Sequence, residues 1–322
     1  MPRPTTLSIV VPCFNEEAVL PEALSRLTSL LDRLVSAGRI TPDSRLVMVD
    51  DGSRDRTWSI ISDATDRALP VVGVKLSRNR GHQIALLAGL ATAEGEAIVS
   101  VDADLQDDLG AIEKMLSEYE AGAEVVYGVR SKRDTDTIFK RSSARFFYRL
   151  MRFMGAETVE DHADYRLLSR RAVESLMQFR EVNLYLRGVI PLLGFRTAIV
   201  SYERQARFAG ESKYPFRKML ALAIDAITSF SVMPLRLIGA LGLLVSGVAA
   251  ALGSWILITA WLGVKGVPGW VSTVLPIYFF GGIQLVGIGV IGEYIGKIYL
   301  ETKDRPRYFI EQICRRKQNT SE

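Results

Sequence analysis

Along the first 130 positions, apolar residues come in short unbroken runs, each followed by a polar cluster and then by a stretch of helical spacing. Leu7 to Asn15 (LSIVVPCFN) is continuous and apolar until Pro and Asn end it, the pattern of a strand buried on both faces. Val19, Leu20, Leu24, Leu27, Leu31 and Leu34 then repeat at helical intervals. RLVMVDDGSRDRT predicts a second strand ending in acids and a Gly turn, with TWSIISDATDRA as its helix. VVGVKLS, EAIVSVDAD and AEVVYGVR predict three more strands, separated by the helical stretches NRGHQIALLAGLATAEG and LGAIEKMLSEYEAG. This alternation predicts an α/β domain built on a mostly parallel, Rossmann-like sheet. The clusters PCFNEE, DDGS, SRNRGH and DADLQDD all lie just after strands. In open α/β sheets the ligand crevice lies beyond the carboxyl ends of the strands, so four such clusters on one rim describe an active site.

The pattern changes in the C-terminal third. Leu235 to Leu262 carries one charge, Arg236, and Val271 to Ile295 carries one, Glu293. Each exceeds the roughly 20 residues a helix needs to span a bilayer, and two transmembrane helices are predicted. Tyr214 to Pro234 places Arg217, Lys218, Asp225 and Ser229 on one helical face, which predicts an interfacial amphipathic helix. Arg217, Lys218 and Arg236 precede or open the first span; Lys297, Lys303, Arg305, Arg307, Arg315, Arg316 and Lys317 follow the second; only Lys265 lies between. The positive-inside rule therefore predicts a multi-pass protein of the plasma (inner) membrane with the α/β domain and both termini cytoplasmic. The expected domains are 1–213 (catalytic), 214–234 (interfacial helix), 235–296 (two-helix membrane domain) and 297–322 (basic cytoplasmic tail). GIGVIG (Gly287 to Gly292) fits a dinucleotide pattern by letter but sits inside an apolar span with no strand before it. Gly292 and Gly296 read instead as a GxxxG helix-packing pair.

Composition narrows the chemistry. The chain has 322 residues, 48% of them hydrophobic, and a net charge of +4. With no basic stripe interleaved with aromatics, that charge fits an anionic membrane surface, and no nucleic-acid partner is expected. Two distant cysteines, Cys13 and Cys314, exclude a disulfide framework. Two histidines, His82 and His162, without HExxH or paired CxxC, argue against zinc. The densest feature is SVDADLQDD, with Asp102, Asp104, Asp107 and Asp108 in close succession. Such a cluster suits either an acid-rich helix start or a divalent cation bridging to phosphates.

Taken together, VVPCFNEE, VDDGSRDRT, LSRNRGHQIALLAGL, VDADLQDD, DYRLLSRRA and RFAGESKY followed by two spans resemble the polyprenyl-phosphate glycosyltransferases. These form the dolichol-phosphate-mannose-synthase-like branch of the family-two glycosyltransferases, which includes bactoprenol-glucosyltransferase-like enzymes and has the GT-A fold. The resemblance covers nearly the whole chain. It implies that Asp102 and Asp104, with the intervening Ala103, approach the donor and its Mg²⁺ or Mn²⁺. Gln106 would add a neutral oxygen to the ion, while Asp107 and Asp108 would open the next helix and face solvent. It places Asp50 and Asp51 on the nucleotide base and ribose, and Pro12, Asn15, Glu16 and Glu17 on the donor rim, although Glu17 reads equally well as helix-start charge. Gly81 would let backbone approach the ligand, and Gln83 would offer amide hydrogen bonds. Arg130 and Arg141, within a basic stretch that includes Arg133, Lys140 and Arg145, would bind the acceptor phosphate. Arg166 is assigned to the same group, with Arg207, Ser212 and Lys213 on a closing loop. Asp164 is the family's further catalytic acid beside Asp104, with Asp161 competing for the role and Ala163 standing where relatives often have Gly. The implied reaction is inverting transfer of a sugar, glucose from UDP-glucose by preference, to undecaprenyl or another polyprenyl phosphate at the cytoplasmic face. A homo-oligomer is admitted. The alternatives are a processive polysaccharide synthase, for which the QxxRW signature and further spans are missing, and a non-catalytic membrane scaffold, which would need none of these acids.

Overall fold

The computed structural model describes residues 3–67, 69–104, 106–130, 162–181, 185–203, 232–262 and 269–315. Arg141, Arg207, Ser212, Lys213 and the competing Asp161 lie outside the described residues, as does nearly all of the expected interfacial helix. The described residues up to 203, together with 305–315, form one compact unit; residues 232–262 and 269–304 form a second.

The first unit is built on one eight-stranded sheet. Strands β1 (Leu7–Cys13), β2 (Arg45–Asp50), β3 (Val71–Leu76) and β4 (Ala97–Ser100) run parallel, as the alternation predicts. Helices α1 (Leu20–Ser36), α2 (Thr57–Asp66), α3 (His82–Thr92) and α4 (Gly110–Glu120) connect or follow them. All seven β1 residues are buried, which is why that run carries no polar alternation. α1 buries Leu20, Leu24, Leu27, Leu31 and Leu34, matching the helical spacing of the sequence. Pro12 lies beyond the last β1–β4 pair, Val10 with Ser100, where a missing N–H breaks no ladder bond.

Beyond β5 (Val125–Arg130) the sheet is mixed. Strand β6 (His162–Ser169) inserts antiparallel between β4 and β5, and β7 (Thr197–Tyr202) closes that edge parallel to β5. Two short helices, α5 (Arg170–Met177) and α6 (Leu186–Leu192), lie between β6 and β7 in sequence. At the opposite edge β8 (Ile310–Cys314) pairs antiparallel with β3. Residues 297–322 are therefore not simply a basic tail. The first of them finish a helix, and Ile310–Cys314 belong to the sheet.

The second unit holds α7 (Met233–Trp261) and α8 (Trp270–Thr302). Met233–Trp255 and Phe279–Thr302 within them are long and apolar enough to cross a membrane, with mean hydropathies of 2.0 and 1.4. A Cβ built on Gly287 would come 3.4 Å from Ile238 Cγ2, which marks where the two helices meet. A Cβ built on Gly292 or Gly296 meets no neighbouring atom within 4 Å among the described residues, so the GxxxG pair does not form that contact.

Candidate active site

The β-strand ends assemble the site from three interlocked turns. Asn15, in the left-handed region at φ +55°, donates its N–H to Ser53 Oγ (3.0 Å) and accepts from Arg54 N (2.9 Å). Glu16 N donates to Thr57 Oγ1 (2.9 Å) and Glu17 N to Asp55 Oδ2 (3.1 Å); Glu17 Oε2 in turn accepts from Arg56 N (3.1 Å). The polar groups of this rim thus hold the β1–α1 and β2–α2 turns together, and the Glu17 side chain serves the start of α2 through the Arg56 N–H.

Asp50 and Asp51 are both buried. Asp51 accepts from Arg80 N (2.7 Å) and Gly81 N (2.8 Å), so it fixes the β3–α3 turn with both oxygens. Asp50 Oδ1 accepts from Ser53 N (3.2 Å), and its Oδ2 is buried with no partner among the described residues. Burial raises both carboxyls above their ordinary value. Two glycines make this meeting of turns possible. A Cβ on Gly52 (φ +68°) would lie 2.6 Å from Asn79 N; Gly81 (φ +89°, ψ 156°) occupies a region essentially reserved for glycine. Among the described residues no atom beyond its chain neighbours lies within 4 Å of a Cβ built on Gly81, so they leave that side of the backbone open. Gln83 is not an open amide: its Oε1 accepts from Leu186 N (3.1 Å).

The four clustered acids separate into distinct environments. Asp102 keeps 41% of its side-chain surface accessible, yet burial by the surrounding protein, with Asp107, Asp164 and Asp104 adding to it against His82, pushes its carboxyl up to about 6. Asp104 is half-buried and accepts from Gln106 N (3.2 Å), while Ala103 packs in the core. Asp108 accepts from Gly110 N (2.9 Å) at the start of α4, as expected. Asp107 departs from expectation. It is 4% exposed and accepts from Tyr202 Oη (2.6 Å), with Arg130 Nη2 at 3.7 Å. Arg130 Nε also reaches Tyr202 Oη (3.3 Å). Arg130, expected on the acceptor phosphate, is therefore joined to Asp107 and Tyr202, tying the ends of β5 and β7 to the acidic loop.

Asp164 is the most heavily coordinated acid. Arg166 Nη2 reaches its Oδ1 at 2.5 Å; Arg187 Nε and Nη2 reach Oδ1 and Oδ2 at 3.1 and 3.0 Å. His82 Nε2 stands 3.6 Å from Oδ2 and 3.5 Å from Asp102 Oδ1. Burial opposes its charge, but His82, Arg166 and Arg187 hold Asp164 far below the usual carboxylate range. Burial likewise opposes charge on His82, and Asp164 and Asp102 outweigh it, so that pKa is raised. Arg166, expected on the acceptor phosphate, is 1% exposed, and its Nε and Nη1 have no hydrogen-bond partner among the described residues. It backs Asp164 from inside the sheet. His82 and Arg187 were absent from the sequence-derived site. The signals were there: His82 follows the rim glycine, and Arg187 interrupts an apolar run, where a charge demands a partner.

Among the described residues no group of three or more His, Cys, Asp or Glu is gathered closely enough to hold a metal. Asp102 and Asp104 fit the more modest demand of Mg²⁺ or Mn²⁺ in a nucleotide site, where one or two carboxylates act with substrate phosphates and waters. Burial first, and then the neighbouring carboxylates of Asp107, Asp164 and Asp104, raise the Asp102 carboxyl, and a cation there would offset both. Gln106 fits less well, being 4% exposed, with an amide nitrogen that has no hydrogen-bond partner among the described residues.

A mixed, largely parallel sheet with this acid-bearing rim is a GT-A-like α/β arrangement. The pattern of glycosyl transferase family 2 matches residues 8–177, and the chain belongs to that family. The uncharacterized glycosyltransferase YkoT of Bacillus subtilis (strain 168) is 48% identical, covering 95% of this chain and 91% of that one. The prophage bactoprenol glucosyl transferase homolog of Escherichia coli (strain K12) is 39% identical, covering 95% and 99%. Glucosyl-3-phosphoglycerate synthase from Mycobacterium tuberculosis, solved with Mn²⁺, UDP and phosphoglyceric acid, is a distant structural neighbour at 20% identity and TM-score 0.47, covering 70% and 76%.

Proposed function

We propose that this glycosyltransferase moves glucose, with inversion, from UDP-glucose to undecaprenyl or a similar polyprenyl phosphate at the cytoplasmic membrane face. The observation that carries the acceptor class is the state of Asp164. A carboxylate holding two arginines and facing a histidine is poorly suited to take a proton. A sugar hydroxyl needs a base to attack; a phosphate monoester, with its second pKa near ~6, arrives largely ionised. The near full-length likeness to a bactoprenol glucosyl transferase homolog supports the same acceptor and the glucosyl group.

In this reading Asp51 and the turns it fixes receive the nucleoside, and the open backbone at Gly81 borders the donor. Asp102 and Asp104 would hold Mg²⁺ or Mn²⁺. When bound, such an ion screens the donor diphosphate and stabilises it as leaving group. Asp164, held by Arg166 and Arg187 and facing His82, would stand at the reacting centre. The helices α7 and α8 would cross the membrane and hold the lipid acceptor near the domain, with both termini cytoplasmic, as the flanking Lys and Arg residues support.

The test is transfer by the detergent-solubilised full chain. Radiolabelled UDP-glucose, UDP-GlcNAc and GDP-mannose are each offered with undecaprenyl phosphate, with and without chelator, and product is extracted into organic solvent. Extractable label from UDP-glucose that disappears with chelator is expected. Label from another donor would reassign the sugar. No lipid-linked product from any donor would remove the transferase reading in favour of a scaffold.

A further inference from the structure

Arg187 belongs to none of the motifs that suggested the site, and it reaches Asp164 from a separate element. Its Nε and Nη2 close a two-bond fork on the carboxylate, at 3.1 Å to Oδ1 and 3.0 Å to Oδ2. Arg166 supplies one bond to Oδ1 from the buried side. One bond leaves the carboxylate able to turn about its last torsion, whereas a planar fork fixes both the plane and the direction of its oxygens.

The helix that carries Arg187 is itself tied to the donor rim. Gln83 Oε1 accepts from Leu186 N, the residue before Arg187, at 3.1 Å. Gln83 follows His82, which faces Asp102 and Asp164 together, and both follow Gly81, whose N–H Asp51 holds. A continuous set of contacts thus runs from the β2 end, through the β3–α3 turn, to α6 and back to Asp164 on β6.

We infer that Arg187 is a positioning residue for sugar transfer, acting through Asp164 and set in place by Gln83, and not a ligand of donor or acceptor. This rests on the reading of the site as a glycosyl-transfer centre. The same placement gives Gln83 a role distinct from amide recognition of the nucleotide: its oxygen serves α6.

The test is a double-mutant cycle on the full chain in detergent, using Arg187→Gln, Asp164→Asn and the pair, with Arg187→Lys and Gln83→Leu alongside. Two quantities are read: steady-state transfer of glucose from UDP-glucose to undecaprenyl phosphate, and the thermal unfolding midpoint. Arg187→Gln is expected to lower kcat by about tenfold to a hundredfold, the scale of a misplaced catalytic group, with both KM values within about twofold of wild type. Arg187→Lys, which keeps the charge without the fork, is expected to recover only part of this loss. Gln83→Leu should show the same kcat-selective loss at smaller size. The paired variant should be no more than about threefold slower than the worse single, because both changes remove one unit. Losses that multiply, a rise in the KM for the lipid phosphate with kcat intact, or full rescue by Lys would each overturn the inference. If wild type itself transfers nothing, the proposed function fails, and the midpoints still decide. Non-additive midpoints support coupling of Arg187 to Asp164, and additive midpoints overturn it.

Discussion

Cation binding at Asp102 should be coupled to loss of a proton, and the size of the coupling follows from the surroundings of its carboxyl. Burial first, then Asp107, Asp164 and Asp104, push it up to about 6 despite the opposing charge of His82. Proton and metal compete for the same oxygens, so acid must weaken binding. For one such group the apparent Kd is multiplied by 1 + 10^(pKa − pH), which for a pKa near 6 is about elevenfold at pH 5 and about 1.1-fold at pH 7. An ordinary aspartate near ~3.9 would change Kd by only about 1.1-fold at pH 5. The two cases differ by an order of magnitude. Mn²⁺ titration of the full chain without nucleotide, followed by loss of the free-ion paramagnetic signal at pH 5, 6, 7 and 8, separates them. Leaving nucleotide out matters, because its phosphates titrate in the same window.

Two variants isolate the group. Asp102→Asn should weaken binding throughout and flatten the dependence on pH. His82→Gln removes the imidazole 3.5 Å from Asp102 Oδ1, whose charge favours the carboxylate, so the midpoint should move to higher pH. Equal affinity at pH 5 and pH 7 in wild type would refute the argument, as would an undiminished slope in Asp102→Asn.

Asp164→Asn removes the counter-charge of an Arg166 that is 1% exposed; breaking such a buried pair costs about 3–5 kcal/mol, so the unfolding midpoint should fall by at least about 6 °C. Its transfer defect should be uniform from pH 6 to pH 9, since a carboxyl held so far down is ionised throughout, and relief at high pH would point to a base instead. Tyr202→Phe leaves buried Asp107 without its 2.6 Å donor and should cost about 1–3 kcal/mol in denaturant unfolding, with an unchanged midpoint counting against the clamp. Gly52→Ala combines a φ of +68° with a 2.6 Å approach to Asn79 N and should destabilise by about 2 kcal/mol or more in the same assay.

The parallel half of the sheet was legible because both of its signals are local. A doubly buried strand such as β1 is an unbroken apolar run, and α1 repeats its leucines at helical intervals. The rim acids followed, since strand ends locate the crevice. What escaped depends on contacts distant in sequence. Asp107 looks like helix-start charge until Tyr202 arrives from β7, and Arg130 looks available until the same hydroxyl and Asp107 engage it. Arg166 sits in a strand whose neighbours on both sides run antiparallel, an insertion no local pattern announces, and its side chain is buried there. Strand β8 carries no alternation to read, because its residues are almost all exposed and backbone pairing alone makes it a strand.

That last strand bears on topology independently of any count of basic residues. Leu76 pairs with Ile310 and Gly73 with Cys314, Ser77 N donates to Phe309 O (3.0 Å), and Lys75 Nζ meets Glu311 at 2.9 Å. The chain before α7 and the chain after α8 therefore belong to one folded unit. A sheet cannot form across a bilayer, so whatever crosses between those two points must cross an even number of times. Two crossings by α7 and α8 satisfy this; one crossing does not. Arg307 and Arg315, counted as flanking charges, are engaged by the Phe179 carbonyl and by Glu94, so parity is the firmer argument. The native cysteines provide the assay. Cys13 is buried, and Cys314, at the end of β8, is partly exposed. A membrane-impermeant maleimide should modify the unaltered chain at Cys314 in inverted vesicles and leave it unmodified in right-side-out ones, with Cys314→Ser abolishing the signal. Labelling of Cys314 from the outer face would place β8, and with it the whole sheet, on the side opposite to the one proposed for it.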